Sequence, residues 1–98
     1  MNTQKQRDAT RLIHGSLAFC EGPAEDRAAP GSVFAVRADI ARGRRILENS
    51  GAETAALAFL TTAAVALDQR PPDFQAAHAA LESASKALKA TEPRGAAA

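Results

Sequence analysis

Apolar side chains recur at alternating intervals of three and four residues along this chain, and this spacing constrains the fold more than any other feature. The pattern is regular from Val33 to Leu47 and again from Phe74 to Leu88. Because an α-helix turns about 100° per residue, this spacing puts the apolar residues on one helical face. Four amphipathic segments end at glycine, asparagine or proline, and they predict helices at residues 3–20, 32–49, 52–69 and 73–91.

The supply of large core-forming side chains is small. The chain has 98 residues, enough for one domain, but much of its 46% hydrophobic fraction is alanine, and it contains four Phe and no Trp or Tyr. The sequence predicts an all-α fold, a small up-and-down antiparallel four-helix bundle over residues 1–92 with a disordered tail at 93–98. Association with a second copy would add burial, so we also expect a homodimer.

Two segments of the chain support further predictions, one between the first two predicted helices and one within the third. Residues 22–31 contain Gly22, Pro23, Pro30 and Gly31, and they predict a mobile, mildly acidic connector without secondary structure. The segment Thr54–Leu67 is uncharged and rich in alanine and threonine, and it predicts the most buried helix of the four.

No metal, cofactor or catalytic motif is present in the sequence. His14 and Cys20 lie on different faces of the first predicted helix and His78 lies on the fourth, so their spacing matches no metal site. Cys20 has no partner base and fits a small buried side chain. No glycine-rich phosphate loop occurs. We therefore expect no catalytic residues, no metal and no cofactor.

His78 has one specific alternative interpretation. Histidine phosphotransfer domains carry phosphate on an exposed histidine of a four-helix bundle, and in that family Leu, Lys and Gly follow at the second, third and fourth positions. Ala80, Leu81 and Glu82 occupy those positions here, so the lysine and the glycine are both missing. We expect that His78 does not carry phosphate.

The net charge bears on the kind of partner, and the first residues of the chain bear on its location. The formal net charge is +1, which is too small for a dedicated polyanion binder. The polar opening from Asn2 to Asp8 has no apolar stretch that resembles a secretion signal, and Thr54–Leu67 is shorter than the roughly 20 residues that cross a bilayer. The sequence predicts a cytoplasmic protein with no membrane partner.

The densest charge feature lies on the second predicted helix. Four arginines project over about half of its circumference, and two large apolar side chains share this surface although they lie off the Val33–Leu47 stripe. We predict that this set binds a partner: Arg37, Arg42, Arg44, Arg45, Phe34 and Ile46. Arginine beside exposed apolar groups is typical of protein interfaces. The alternative without a binding role is that the chain itself covers Phe34 and Ile46 and that water solvates the arginines.

These features predict a non-enzymatic helical interaction module, such as a small regulator, adaptor or inhibitor, that binds a partner protein. The alternative is an accessory protein that contacts nucleic acid through the same arginines. Sequence-specific DNA recognition by a helix-turn-helix is disfavoured, because the third predicted helix has few polar side chains that could reach base edges.

Overall fold

The computed structural model describes residues 3–49 and 54–91, and within them it contains helices and no strand. The helices are α1 (Thr3–Glu21), α2 (Ala24–Ala28), α3 (Ser32–Asn49), α4 (Thr54–Leu67) and α5 (Phe74–Thr91). The predicted all-α fold is confirmed. The predicted turn at Ser50–Gly51, the first two residues of the third predicted helix and the tail at 93–98 lie outside the described residues.

The four long helices enclose one apolar core. α1 contacts α3 and α5, and α4 contacts the same two helices. The largest fully buried side chains come from all four long helices: Ile13, Ile40, Leu47, Leu60, Leu67 and Leu81. Alanine occupies many of the remaining core positions, including Ala9, Ala56, Ala63, Ala77 and Ala84. These small side chains let the helix backbones approach closely, which offsets the small number of large ones.

The prediction that residues 22–31 have no secondary structure is wrong. They contain the five-residue helix α2, which Pro23 precedes in an extended conformation (φ −60°, ψ 145°). Glu25 and Asp26 lie in its first turn and Arg27 in its last, an order that suits the helix dipole. Gly31 adopts φ +81°, a conformation that favours glycine, in the turn between α2 and α3, where the Ser32 N–H donates to the Ala29 carbonyl (3.1 Å).

Hydrogen bonds define the connection between α4 and α5. α4 ends at Leu67, two residues before the predicted end, and the Asp68 N–H bonds to the carbonyls of both Ala64 and Val65 in a tightened last turn. The Asp73 N–H then donates to the Ala66 carbonyl (2.9 Å). The Asp73 carboxylate accepts a bond from the N–H of Ala76 (3.0 Å), so it caps α5.

The apolar stripes predicted for α3 and α5 face the core. Val36, Ile40, Gly43 and Leu47 are buried, as are Ala77, Leu81, Ala84 and Leu88. α4 buries Ala56, Leu60, Ala63, Ala66 and Leu67, while Val65 is 55% exposed and Phe59 is 37% exposed on its other side. No helix in the described part of the chain is long and apolar enough to cross a membrane.

Gly43 tests how tightly α1 and α3 pack. A methyl group at Gly43 would lie 3.7 Å from Cβ of Leu12 and 3.8 Å from the Ala9 carbonyl oxygen, which is ordinary van der Waals contact. We therefore expect Gly43→Ala to raise the free energy of unfolding by about 0.5–1 kcal/mol, because alanine favours the helix. Gly15→Ala is the matched control, since a Cβ there has no neighbour within 4 Å. Urea denaturation measures both, and a loss of stability at Gly43 alone would contradict the packing described here.

Candidate functional site

The six residues predicted to bind a partner divide into two groups on α3. Phe34 is 73% exposed, and Arg42 and Arg45 are also exposed. Neither arginine forms an ion pair within the described residues. Because α3 begins at Ser32, Phe34 stands near its first turn, and Arg45 lies about 16 Å further along the same outward side. These three side chains are free to contact another molecule.

The other three predicted residues are engaged within the chain. Arg37 Nη1 lies 3.3 Å from Oδ1 of Asp68, just beyond α4, and Arg44 Nη1 lies 3.7 Å from Oε1 of Glu48 one turn along α3. The Nε atoms of both arginines are buried. Ile46 is half-buried and packs against the core. Arg37 and Arg44 are therefore less available to another molecule than Arg42 and Arg45, because each already pairs with a carboxylate of this chain.

An apolar groove lies beside Phe34 and was not foreseen from the sequence. Its volume is about 530 Å³. α2, the start of α3 and the start of α5 form its walls, with Ala24, Arg27, Ala28, Ala29, Gly31, Val33, Phe34, Pro72 and Phe74 as lining residues. We call this feature the Phe34 groove. Among these lining residues, only Arg27 has a charged side chain.

Arg27 fixes one wall of the Phe34 groove. Its guanidinium lies 5.3 Å from the centre of the Phe74 ring, within the range of a cation–π contact. Its Nη1 donates to the Cys20 carbonyl (3.3 Å) and to the Gly22 carbonyl. Phe74 in turn packs edge-on against Phe19, with ring centroids 5.9 Å apart. These contacts hold α2 against α1 and α5, so the groove has preformed walls.

His78 lies between carboxylates at the contact of α5 and α1. Its Nε2 is 2.7 Å from Oε2 of Glu21, and its Nδ1 is 3.5 Å from Oε1 of Glu82. Both ring nitrogens therefore face negative charge. A phosphoryl group on either nitrogen would lie close to a carboxylate, and like charges repel each other. That His78 carries no phosphate stays a prediction. Elsewhere on the same contact, His14 Nε2 lies 3.3 Å from the Ser85 hydroxyl.

Cys20 is buried at the end of α1, as its apolar position predicted. Burial raises the pKa of its thiol; Arg27 opposes this effect and Glu21 adds to it. A thiol that resists ionisation is a poor nucleophile. No group of three or more His, Cys, Asp or Glu residues within the described ranges could hold a metal ion.

The burial of Cys20 gives a direct chemical prediction. At pH 8 we expect the native Cys20 thiol to react with a thiol reagent at least about tenfold more slowly than the thiol of the urea-unfolded chain. In the native state a smaller fraction of the thiol is ionised, and burial restricts access of the reagent. Absorbance of the released chromophore measures the rates, and Cys20→Ala provides the blank. Equal rates in the two states would contradict this placement of Cys20.

Comparisons of the chain with protein-family profiles, with curated proteins and with solved structures find no match. The site must therefore be interpreted from its own geometry. The sequence identified Phe34, Arg42 and Arg45 as candidate binding residues, but it did not identify Arg27 or Phe74, which line the Phe34 groove. The acidic residues before Arg27 were the one local signal for α2.

Proposed function

We propose that this chain is a non-enzymatic helical interaction module that binds a partner protein through Phe34, the Phe34 groove, Arg42 and Arg45. The observation that carries the proposal is the 73% exposure of Phe34, a large aromatic side chain, beside a preformed apolar groove of about 530 Å³. Aromatic residues and arginine are the side chains that most often dominate binding energy at protein interfaces. Small regulators, adaptors and inhibitors act in this way.

The bundle proposed from the sequence provides the rigid support for this surface. We propose that the four long helices are arranged up and down, each antiparallel to its neighbours in the chain. Two contacts support this arrangement for α3, α4 and α5. Arg37, near the start of α3, pairs with Asp68 at the end of α4, and the Asp73 N–H before α5 bonds to the Ala66 carbonyl.

The chemistry of the surface indicates the kind of partner. An apolar side chain of the partner would enter the Phe34 groove, and acidic groups beside it would meet Arg42 and Arg45. Nucleic acid is less well matched, because Asp68 and Glu48 already neutralise Arg37 and Arg44, which leaves two unpaired arginines on this side of α3. Two cations give few phosphate contacts, and a phosphate-binding surface gains little from Phe34.

We also expect no catalytic activity. The two side chains with the strongest claim to chemistry are unsuited to it, since the Cys20 thiol is buried with a raised pKa and the ring nitrogens of His78 face carboxylates. We propose a cytoplasmic location on the sequence argument given above.

A pull-down tests the proposed function. Immobilised wild-type chain, Phe34→Ser and Val65→Glu are exposed to host lysate with and without nuclease. The proposal expects a protein that wild type and Val65→Glu retain after nuclease treatment and that Phe34→Ser loses. Retention that disappears with nuclease would favour the nucleic-acid alternative. Equal retention by Phe34→Ser would show that the partner binds elsewhere.

A further inference from the structure

α4 combines two features that rarely occur together on a monomer surface. Its sequence, Thr54–Leu67, contains no charged residue. Only one side of it is buried, however, and Ala58, Thr62 and Val65 are exposed on the other, with Phe59 at the edge. An exposed helical face without a single charge is typical of a surface that another molecule covers.

The uncharged surface continues onto α5. Phe74, His78 and Ser85 contact α1, so the opposite flank of α5 borders α4. That flank begins with Ala76, which is exposed. At about 100° per residue, Lys86 lies about 80° and Glu82 about 120° around the helix from Ala76, so the charged side chains of α5 lie beyond this flank. We define the α4–α5 face as Ala58, Phe59, Thr62, Val65 and Ala76.

We propose that the α4–α5 face is the interface of a homodimer, so that its occupant is a second copy of this chain. In a two-fold interface each surface meets its own equivalent, so the surface must be compatible with itself. The α4–α5 face satisfies this condition because it carries no charge to be desolvated or repelled. The exposed sides of α1 and α3 do not satisfy this condition, because each would bring arginines of the two copies together. These are Arg7 and Arg11 on α1, and Arg42 and Arg45 on α3.

Charges around the face favour a two-fold arrangement with the two α4 helices antiparallel. This step rests on the antiparallel bundle proposed above. Asp68 and Asp73 lie at the carboxyl end of α4, whereas Lys86 and Lys89 in the last part of α5 lie toward its amino end. An antiparallel pair brings the lysines of one copy toward the carboxylates of the other. A parallel pair would bring lysines toward lysines.

The size of the face sets the expected strength of the dimer. α4 has 14 residues and is therefore about 21 Å long, and two adjacent helices are about 20 Å wide, so each copy contributes roughly 400 Å² of projected area. About 800 Å² in total is below the roughly 1,200 Å² of standard specific interfaces and lies in the range of weak, transient ones. We therefore expect a weak dimer with a dissociation constant in the micromolar range or above.

Sedimentation equilibrium between about 10 μM and 1 mM protein tests the proposal. The mass of the wild type is expected to rise from 10.2 kDa toward twice that value with concentration. Val65→Glu and Thr62→Glu each place two carboxylates in the interface and are expected to weaken association at least about 100-fold. Both positions are exposed, so the fold should tolerate the substitutions, which circular dichroism checks.

Phe34→Ser is the matched control, because it removes an exposed apolar side chain from α3 and is expected to associate like the wild type. A wild-type mass of 10.2 kDa at every concentration would overturn the proposal. So would association of both glutamate variants at wild-type strength. Loss of association in Phe34→Ser alone would assign the dimer to α3 instead.

Discussion

Leu60→Ala is expected to lower the free energy of unfolding by about 3 kcal/mol, the largest stability effect that we predict for a single substitution. Leu60 is fully buried, and truncation to alanine removes its transfer free energy and leaves a cavity in the core. Native domains have about 5–15 kcal/mol of total stability, so this loss is a substantial fraction of it. Urea denaturation followed by far-UV circular dichroism at one fixed protein concentration measures it.

Leu57→Ala is the matched control on the same helix. Leu57 packs against the core but is only half-buried, so the same substitution is expected to cost about 1 kcal/mol. Both substitutions replace leucine by alanine on the same helix, so they change helix propensity equally. The difference between the two losses of stability therefore measures the effect of burial. Equal losses at the two positions would show that α4 does not face the core as described.

Phe34→Ser is expected to weaken binding to the partner protein by about 30-fold or more, which corresponds to the cost of about 2 kcal/mol that defines a dominant interface residue. The same substitution should change the free energy of unfolding by less than about 0.5 kcal/mol, because Phe34 is 73% exposed. Titration calorimetry with the protein recovered from the pull-down measures the affinity.

Ile46 provides the comparison for this prediction. It was grouped with Phe34 from the sequence, but it packs against the core. We expect Ile46→Ser to lose stability while Phe34→Ser loses affinity. If Phe34→Ser binds with unchanged affinity, Phe34 is not part of the binding surface, whatever the behaviour of Ile46.

The helices and their buried faces follow from the sequence because helical periodicity is a local property. The spacing from Val33 to Leu47 identified the residues of α3 that face the core, and Phe74 to Leu88 did the same for α5. Gly, Pro and Asp residues marked the helix ends for equally local reasons. The spacing does not specify how helices are arranged in space, and it therefore left the order of neighbours undetermined.

α2 could not be predicted by the same reasoning. A five-residue helix is too short to show periodicity and is unstable in isolation. What holds α2 is Arg27, through the Cys20 and Gly22 carbonyls and the Phe74 ring. Phe74 is 47 residues away in the sequence, so this contact exists only after α5 has packed.

The candidate site was predictable in part for a related reason. The pairing of Arg44 with Glu48 follows from their separation by four residues, but the pairing of Arg37 with Asp68 depends on how α3 lies against α4. The composition of α4 predicted the most buried helix of the four. Its exposed face, with Val65, became apparent only from the packing of its two neighbours.

If Phe34, Arg42 and Arg45 bind a partner protein as proposed, the binding should depend only weakly on salt, and a salt titration measures this dependence. The partner protein is titrated with the wild type and with the double variant Arg42→Ala and Arg45→Ala from about 50 to 200 mM salt. We predict that wild-type affinity falls by less than about tenfold and that the double variant retains measurable binding, because Phe34 supplies contact energy that salt does not screen. A fall of about 100-fold, as expected when several phosphates are contacted, together with complete loss in the double variant, would contradict the claim.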